Sequence, residues 1–180
     1  MLRVAFLLLG ASIASALLHD IGPCNVPVTA DSNFDFEMFS QESKGVWTFV
    51  KVPVTQTNHN LIGMFQTSKS TGKPGEYHTT IYGKNKGEQK YSNLGDATVV
   101  ESSSGHLIAT SRDGKNKVYK ASFLKYVPGR YAYFTVCSDE GDDSIVHRYV
   151  VAHSRLDPDE EAEVNRLEKK YKFKGVLRDI

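Results

Sequence analysis

From residue 46 to residue 153 the chain repeats one pattern: a short run rich in Val, Ile, Thr, Tyr and Phe, then a cluster of Gly, Pro, Asn or Asp. Such runs suit a pleated, half-buried surface, and the clusters carry turn chemistry. At a spacing of roughly 8–12 residues they predict a sandwich or barrel. The runs fall at 46–54, 61–68, 76–83, 87–92, 97–102 or 107–111, 117–126, 130–138 and 145–153. That makes eight, or nine if both members of the doubtful pair are strands. Neighbouring runs lie close enough to pair as an up-and-down meander, so the expected fold is all-β: an eight-stranded antiparallel barrel.

One helix follows. Asp157 is a good N-cap, Pro158 suits the first helical position, and Glu160 completes an Asp-x-x-Glu capping box. Acidic residues crowd the first turn and lysines the last, as the helix dipole favours. Val164, Leu167 and Tyr171 share a face, which predicts packing against the side of the sheet. Gly175 is a natural stop, and Val176-Leu177 could open a short final strand.

The N-terminus reads as a processing segment. Met1-Leu2-Arg3 is a short basic start, residues 4–9 are apolar, and Ala14-Ser15-Ala16 is a small-residue cleavage site. This predicts a secretory signal over 1–16 and one domain over 17–180. The apolar run is shorter than the roughly 20 residues a membrane-spanning helix needs, so no transmembrane anchor is expected. The 22 basic and 21 acidic side chains balance once Arg3 is removed. Without a clustered basic face, nucleic-acid binding is not expected. Two cysteines in an exported chain are most simply one bridge, Cys24 to Cys137, clasping the N-terminal arm across the β-domain.

Chemistry-bearing motifs are sparse. The six histidines form no His-x-x-x-His pair, and no Cys-x-x-Cys, nucleophile elbow or phosphate loop occurs. The acidic pairs Glu160-Glu161 and Asp142-Asp143 sit where a helix start and a turn want acid. No catalytic residue, metal site or cofactor is predicted, and an enzyme is not the expected class.

The only tryptophan lies in Gly45-Val46-Trp47, preceded by Asn33-Phe34-Asp35 and Phe39; a lone Arg155 follows the last long run. This Asn-Phe-Asp, aromatic, Gly-x-Trp series resembles the first motif of the lipocalins, secreted eight-stranded cups for small apolar molecules, of the apolipoprotein D and bilin-binding type. Arg155 resembles the arginine of that family's third motif. Ser138-Asp139-Glu140 matches the second only in part, lacking its aromatic, and a shifted register over Val136-Cys137-Ser138 matches it equally well. Five residues, 40–44, separate Phe39 from Gly45 where the family usually has one. Cys24, in its proline-bearing arm, resembles the N-terminal half of a family disulfide.

The resemblance implies a calyx with a helix on its side, and a floor where Arg155 covers the Trp47 indole. Such a cation–π contact is worth about 0.5–2 kcal/mol. Gly45 would let the backbone pass close beneath the ring. With Trp47 pointing inward, period-two parity turns Phe49 inward. Parity from Arg155 points Val151, Tyr149 and His147 the same way; Phe65, Phe123 and Tyr133 are further expected lining residues. The implied function is carriage of a small hydrophobic ligand of the retinoid, fatty-acid or tetrapyrrole class. The alternatives are a secreted interaction or matrix protein binding a protein partner through its mouth loops, and a haem-binding lipocalin.

Overall fold

A computed structural model describes residues 20–21, 24, 29–55, 59–138 and 145–180. The expected signal segment and His19 lie outside these, as does the part of the second motif from Asp139 on. The strands, in chain order, are β1 (Asp20–Ile21), β2 (Val46–Pro53), β3 (Leu61–Ser70), β4 (Glu76–Asn85), β5 (Ser92–Ser103), β6 (His106–Ser111), β7 (Val118–Val127), β8 (Tyr131–Ser138), β9 (Ile145–Ala152) and β10 (Leu177–Asp179). Helix α1 (Phe36–Gln41) precedes β2 and helix α2 (Pro158–Tyr171) follows β9.

Strands β2 to β9 form an antiparallel meander that β9 closes by pairing with β2. Closure removes the exposed edges that an open sheet would carry. The barrel has eight strands, though not the eight runs of the sequence reading. Both 97–102 and 107–111 lie in strands, β5 and β6, whereas 87–92 is a turn that only touches the start of β5. Gly87 takes φ +90°, which breaks the extended backbone of that run. Short β10 adds to the outer side of β2, with Leu177 opposite Pro53.

Strands β2, β4, β6 and β8 run away from α1, and β3, β5, β7 and β9 return toward it. The end near α1, which also carries the turns after β3, β5 and β7, is the floor; the opposite end is termed the mouth. Cys24 and Cys137 are joined, with Cα atoms 5.7 Å apart. A cross-link over a loop this long constrains the unfolded chain by about 4–5 kcal/mol in the loop-entropy model.

Two apolar layers share the sheet. The inner one fills the lower barrel with Phe34, Phe39, Trp47, Phe49, Phe123, Phe134 and Val151. The outer one lies under α2, where Val164 and Leu167 meet Leu124, Tyr131, Tyr133 and Val150. The Asp157 side chain accepts from the Asp159 and Glu160 amides, and Glu160 returns the bond to the Asp157 N–H, so the capping box forms. Arg130 ties this helix start to the β7–β8 turn through Glu160 (2.8 Å) and Asp157 (2.9 Å).

Beneath α2 sits a buried charge. Arg148, on the outer face of β9, is 2% exposed. Its Nε donates to Glu168 Oε1 at 2.9 Å and Nη1 to the Lys174 carbonyl at 2.6 Å, and its guanidinium lies over the Phe173 ring. The Tyr133 hydroxyl donates to the same Glu168 oxygen. Burial, then the Glu168 charge, raises the Tyr133 pKa. This cluster fixes the C-terminal segment to the barrel wall.

Candidate functional site: the barrel interior

The floor is built from the segment ahead of β2. Asp35 caps α1 by accepting from the Met38 N–H at 2.8 Å, which turns Phe34, Phe36 and Phe39 into the barrel end. Phe34 stacks on Phe123 with centroids 3.9 Å apart, and Phe39 stacks on Trp47 at 4.8 Å. The indole is 0% exposed, and its N–H donates to the Phe39 carbonyl at 2.8 Å. Gly45 has φ +75°, and a Cβ there would stand 2.2 Å from the Ser68 carbonyl oxygen. Only glycine fits so close a crossing of two backbones.

The other face of the indole is covered by His153, not Arg155. The imidazole stacks on Trp47 at 3.9 Å and 25°, with Nε2 3.4 Å from Ser43 Oγ and 3.7 Å from Glu42 Oε2. Arg155 is exposed. The physical reason is the length of β9. Inward parity runs Tyr149, Val151, His153, but the strand ends at Ala152, and the chain then bends outward to the helix cap at Asp157. Glu42 locks the floor from the side, accepting from Tyr126 Oη at 2.9 Å and from the Gly129 N–H at 3.0 Å. Burial, then this carboxylate, raises the Tyr126 pKa.

Register fixes the remaining lining. Residues directly opposite in an antiparallel pair share a face. Trp47 faces Gln66 and Thr48 faces Phe65, so Phe65 points outward; there it stacks on Tyr82 at 4.9 Å with Tyr91 against its edge. Phe123 faces Phe134, which faces Tyr149. Phe134 is therefore inside, and Tyr133 turns out beneath α2. The expectations that Phe65 and Tyr133 line the cup are corrected on these grounds. Phe49, Phe123, Tyr149, Val151 and His147 stand on the inner face. At mid-height Phe49 meets Tyr149 at 5.4 Å, and Phe134 meets Tyr149 at 5.8 Å.

Above this layer the wall changes character. Ala97, Ala109 and Ala121, from β5, β6 and β7, pack against the core with Ile81 and Val136, and all five keep accessible surface. Gly83 belongs to the same face: a Cβ there would meet Leu94 Cδ1 at 2.4 Å, so Leu94, 53% exposed, overhangs the lining at the mouth. Tyr149 also keeps accessible surface, yet burial alone pushes its hydroxyl up to about 12. The surface it keeps faces the interior of the barrel. Small side chains thus stand on the inner face above the aromatic layer, with the Tyr149 phenol and the His147 imidazole on the same face of β9. Among the described residues no group of three or more His, Cys, Asp or Glu gathers as a metal site.

Phe134 and His153 were within reach of the sequence. If the Cys24 arm runs outside the barrel, Cys137 points out, and counting back by twos puts Tyr133 out and Phe134 in. The parity that selects Tyr149 and Val151 also selects His153. Nothing comparable was available for the alanines, which one at a time carry no signal of a lining.

No family profile matches the chain, and no curated protein sequence does. The likeness lies in three dimensions. A solved siderocalin, Ex-FABP, described as functioning through dual ligand specificities, superimposes with a TM-score of 0.56 over 75% of this chain and 87% of its own, at 10% identity. Together with the closed barrel, the floor helix and the C-terminal helix, this shows a lipocalin-like fold.

Proposed function

We propose that this chain is a secreted carrier that takes one small apolar molecule into the upper half of its barrel. The observation that carries the reading is the small-residue wall of Ala97, Ala109 and Ala121 standing above an aromatic floor. An eight-stranded barrel is wide enough for one small ligand when its wall side chains are small. Tyr149 and His147 would meet a polar end group, which suits a retinoid, fatty acid or tetrapyrrole-like molecule. The siderocalin neighbour supports a binding protein rather than an enzyme. Export through residues 1–16 agrees with the disulfide, which persists in oxidising compartments.

The test is fluorescence titration of the mature protein with retinol and with cis-parinaric acid. At least one should bind with a Kd of about 10 μM or tighter. Ala109→Phe, which adds a ring inside the cup, should weaken that binding by about tenfold or more while thermal unfolding stays cooperative. If neither probe saturates below about 100 μM, or Ala109→Phe binds as tightly as the parent, the carrier reading fails.

A further inference from the structure

A recess lies at the opposite end of the molecule from the mouth, on the outer side of the floor. It is a groove of about 560 Å³ between the end of α1 and the β3–β4 turn, within the size range of small-molecule sites. Tyr77, buried in the inner core, lines it on the barrel side. The segment between Phe39 and Gly45 contributes Ser40, Gln41 and Lys44 to its wall, and the turn contributes Ser70 and Lys73.

Its lining is polar where the lumen is apolar. Ser40 is 3% exposed, and its Oγ has no hydrogen-bond partner among the described residues. A buried hydroxyl left without a partner is uncommon and calls for one. Gln41 Nε2 donates to Glu37 Oε1 at 3.0 Å and reaches Tyr77 Oη at 3.4 Å, which leaves its carbonyl oxygen as an acceptor. The two ammonium groups, Lys44 and Lys73, outweigh the single carboxylate of the wall, Glu37. Lys73 has Glu76 at 3.5 Å, but its side chain is three-quarters exposed, so that contact is readily exchanged.

Hydroxyls that both donate and accept, an amide and two ammonium groups are the complement of a small molecule rich in hydroxyls and carrying an acidic group. We propose that this groove is a second binding site, separate from the lumen, for a small hydroxyl-rich anion of the sugar-phosphate or sugar-acid class. The anionic group pairs with Lys44 and Lys73, and a sugar hydroxyl supplies the partner that Ser40 lacks. The site stands independently of what the lumen carries.

The experiment is a nitrogen-15 NMR titration of the full mature chain with glucose 6-phosphate, in parallel with glucose and with inorganic phosphate. Glucose 6-phosphate is expected to shift the amides of Ser40, Gln41, Lys44 and Gly72 saturably, leaving Ala97, Ala109 and Ala121 in place. Glucose and phosphate alone should each bind at least about tenfold more weakly. Lys44→Ala combined with Lys73→Ala should abolish saturation, and Ser40→Ala should weaken binding severalfold. Absence of saturation below about 10 mM would overturn the proposal. So would phosphate binding as tightly as the sugar phosphate, or parent-like binding by the double lysine variant.

Discussion

The covering of the indole can be tested by removing each candidate side chain in turn. His153→Ala takes away a ring whose side chain is only one-fifth exposed, that stacks on Trp47 at 3.9 Å and that approaches Glu42. Stacked aromatic pairs contribute about 0.5–1.5 kcal/mol beyond the area they bury. Large-to-small changes of core aromatics cost about 3–5 kcal/mol. For a smaller, partly exposed imidazole at the floor, about 2–3 kcal/mol is expected. At about 2–4 °C per kcal/mol for a domain of this size, the thermal midpoint should fall by about 4–12 °C. Arg155 is exposed, and Arg155→Ala should change stability by no more than about 0.5 kcal/mol. Because Trp47 is the only tryptophan, its emission reports on this site alone: it should move to the red in His153→Ala, as water reaches the indole, and stay in place in Arg155→Ala. The reverse pattern, with a shift and destabilisation in Arg155→Ala and none in His153→Ala, would refute the stacking assignment and restore the arginine to the floor.

Gly45→Ala should lose about 3 kcal/mol or more in urea unfolding, since a Cβ at φ +75° would stand 2.2 Å from the Ser68 carbonyl oxygen; parent-like stability would mean that the β2–β3 crossing has slack. Arg148→Met should cost about 2–4 kcal/mol, because it leaves Glu168 and the Lys174 carbonyl without their buried donor, and a loss under about 1 kcal/mol would show that the charge is dispensable. The tyrosines set the alkaline limit. Burial lifts Tyr149 and Tyr131 from 10.0 to about 12, so the unfolded chain loses these protons first. Their contribution is complete below about pH 10 and is lost as pH rises through about 12. The urea midpoint should therefore fall across that interval, and a midpoint that stays level there would contradict the burial of both hydroxyls.

Much of the architecture was legible in local pattern. Asp157, Pro158 and Glu160 announce the start of α2, and Val164 and Leu167 mark its buried face, because capping and helical periodicity depend only on neighbours within a turn. The run at 87–92 misled because β propensity there competes with Gly87, whose positive φ ends the extended backbone.

By itself the sequence determined the class of the protein: alternating β runs, a capped terminal helix and two cysteines, with period-two parity that carries inward along β9 from His147 to Val151. Register and closure were decided only in three dimensions. Whether Phe65 or Gln66 faces the interior depends on which residue Trp47 meets across the β2–β3 pair, and the bulges after Leu61, Phe49 and Phe123 reset that parity. A shift of one residue turns a whole face over, and no local propensity opposes it. The end of β9 at Ala152 likewise gives the indole to His153 instead of Arg155. Ala97, Ala109 and Ala121 share one inner wall only because three different strands pair in the closed barrel, and no single run of the chain records that meeting.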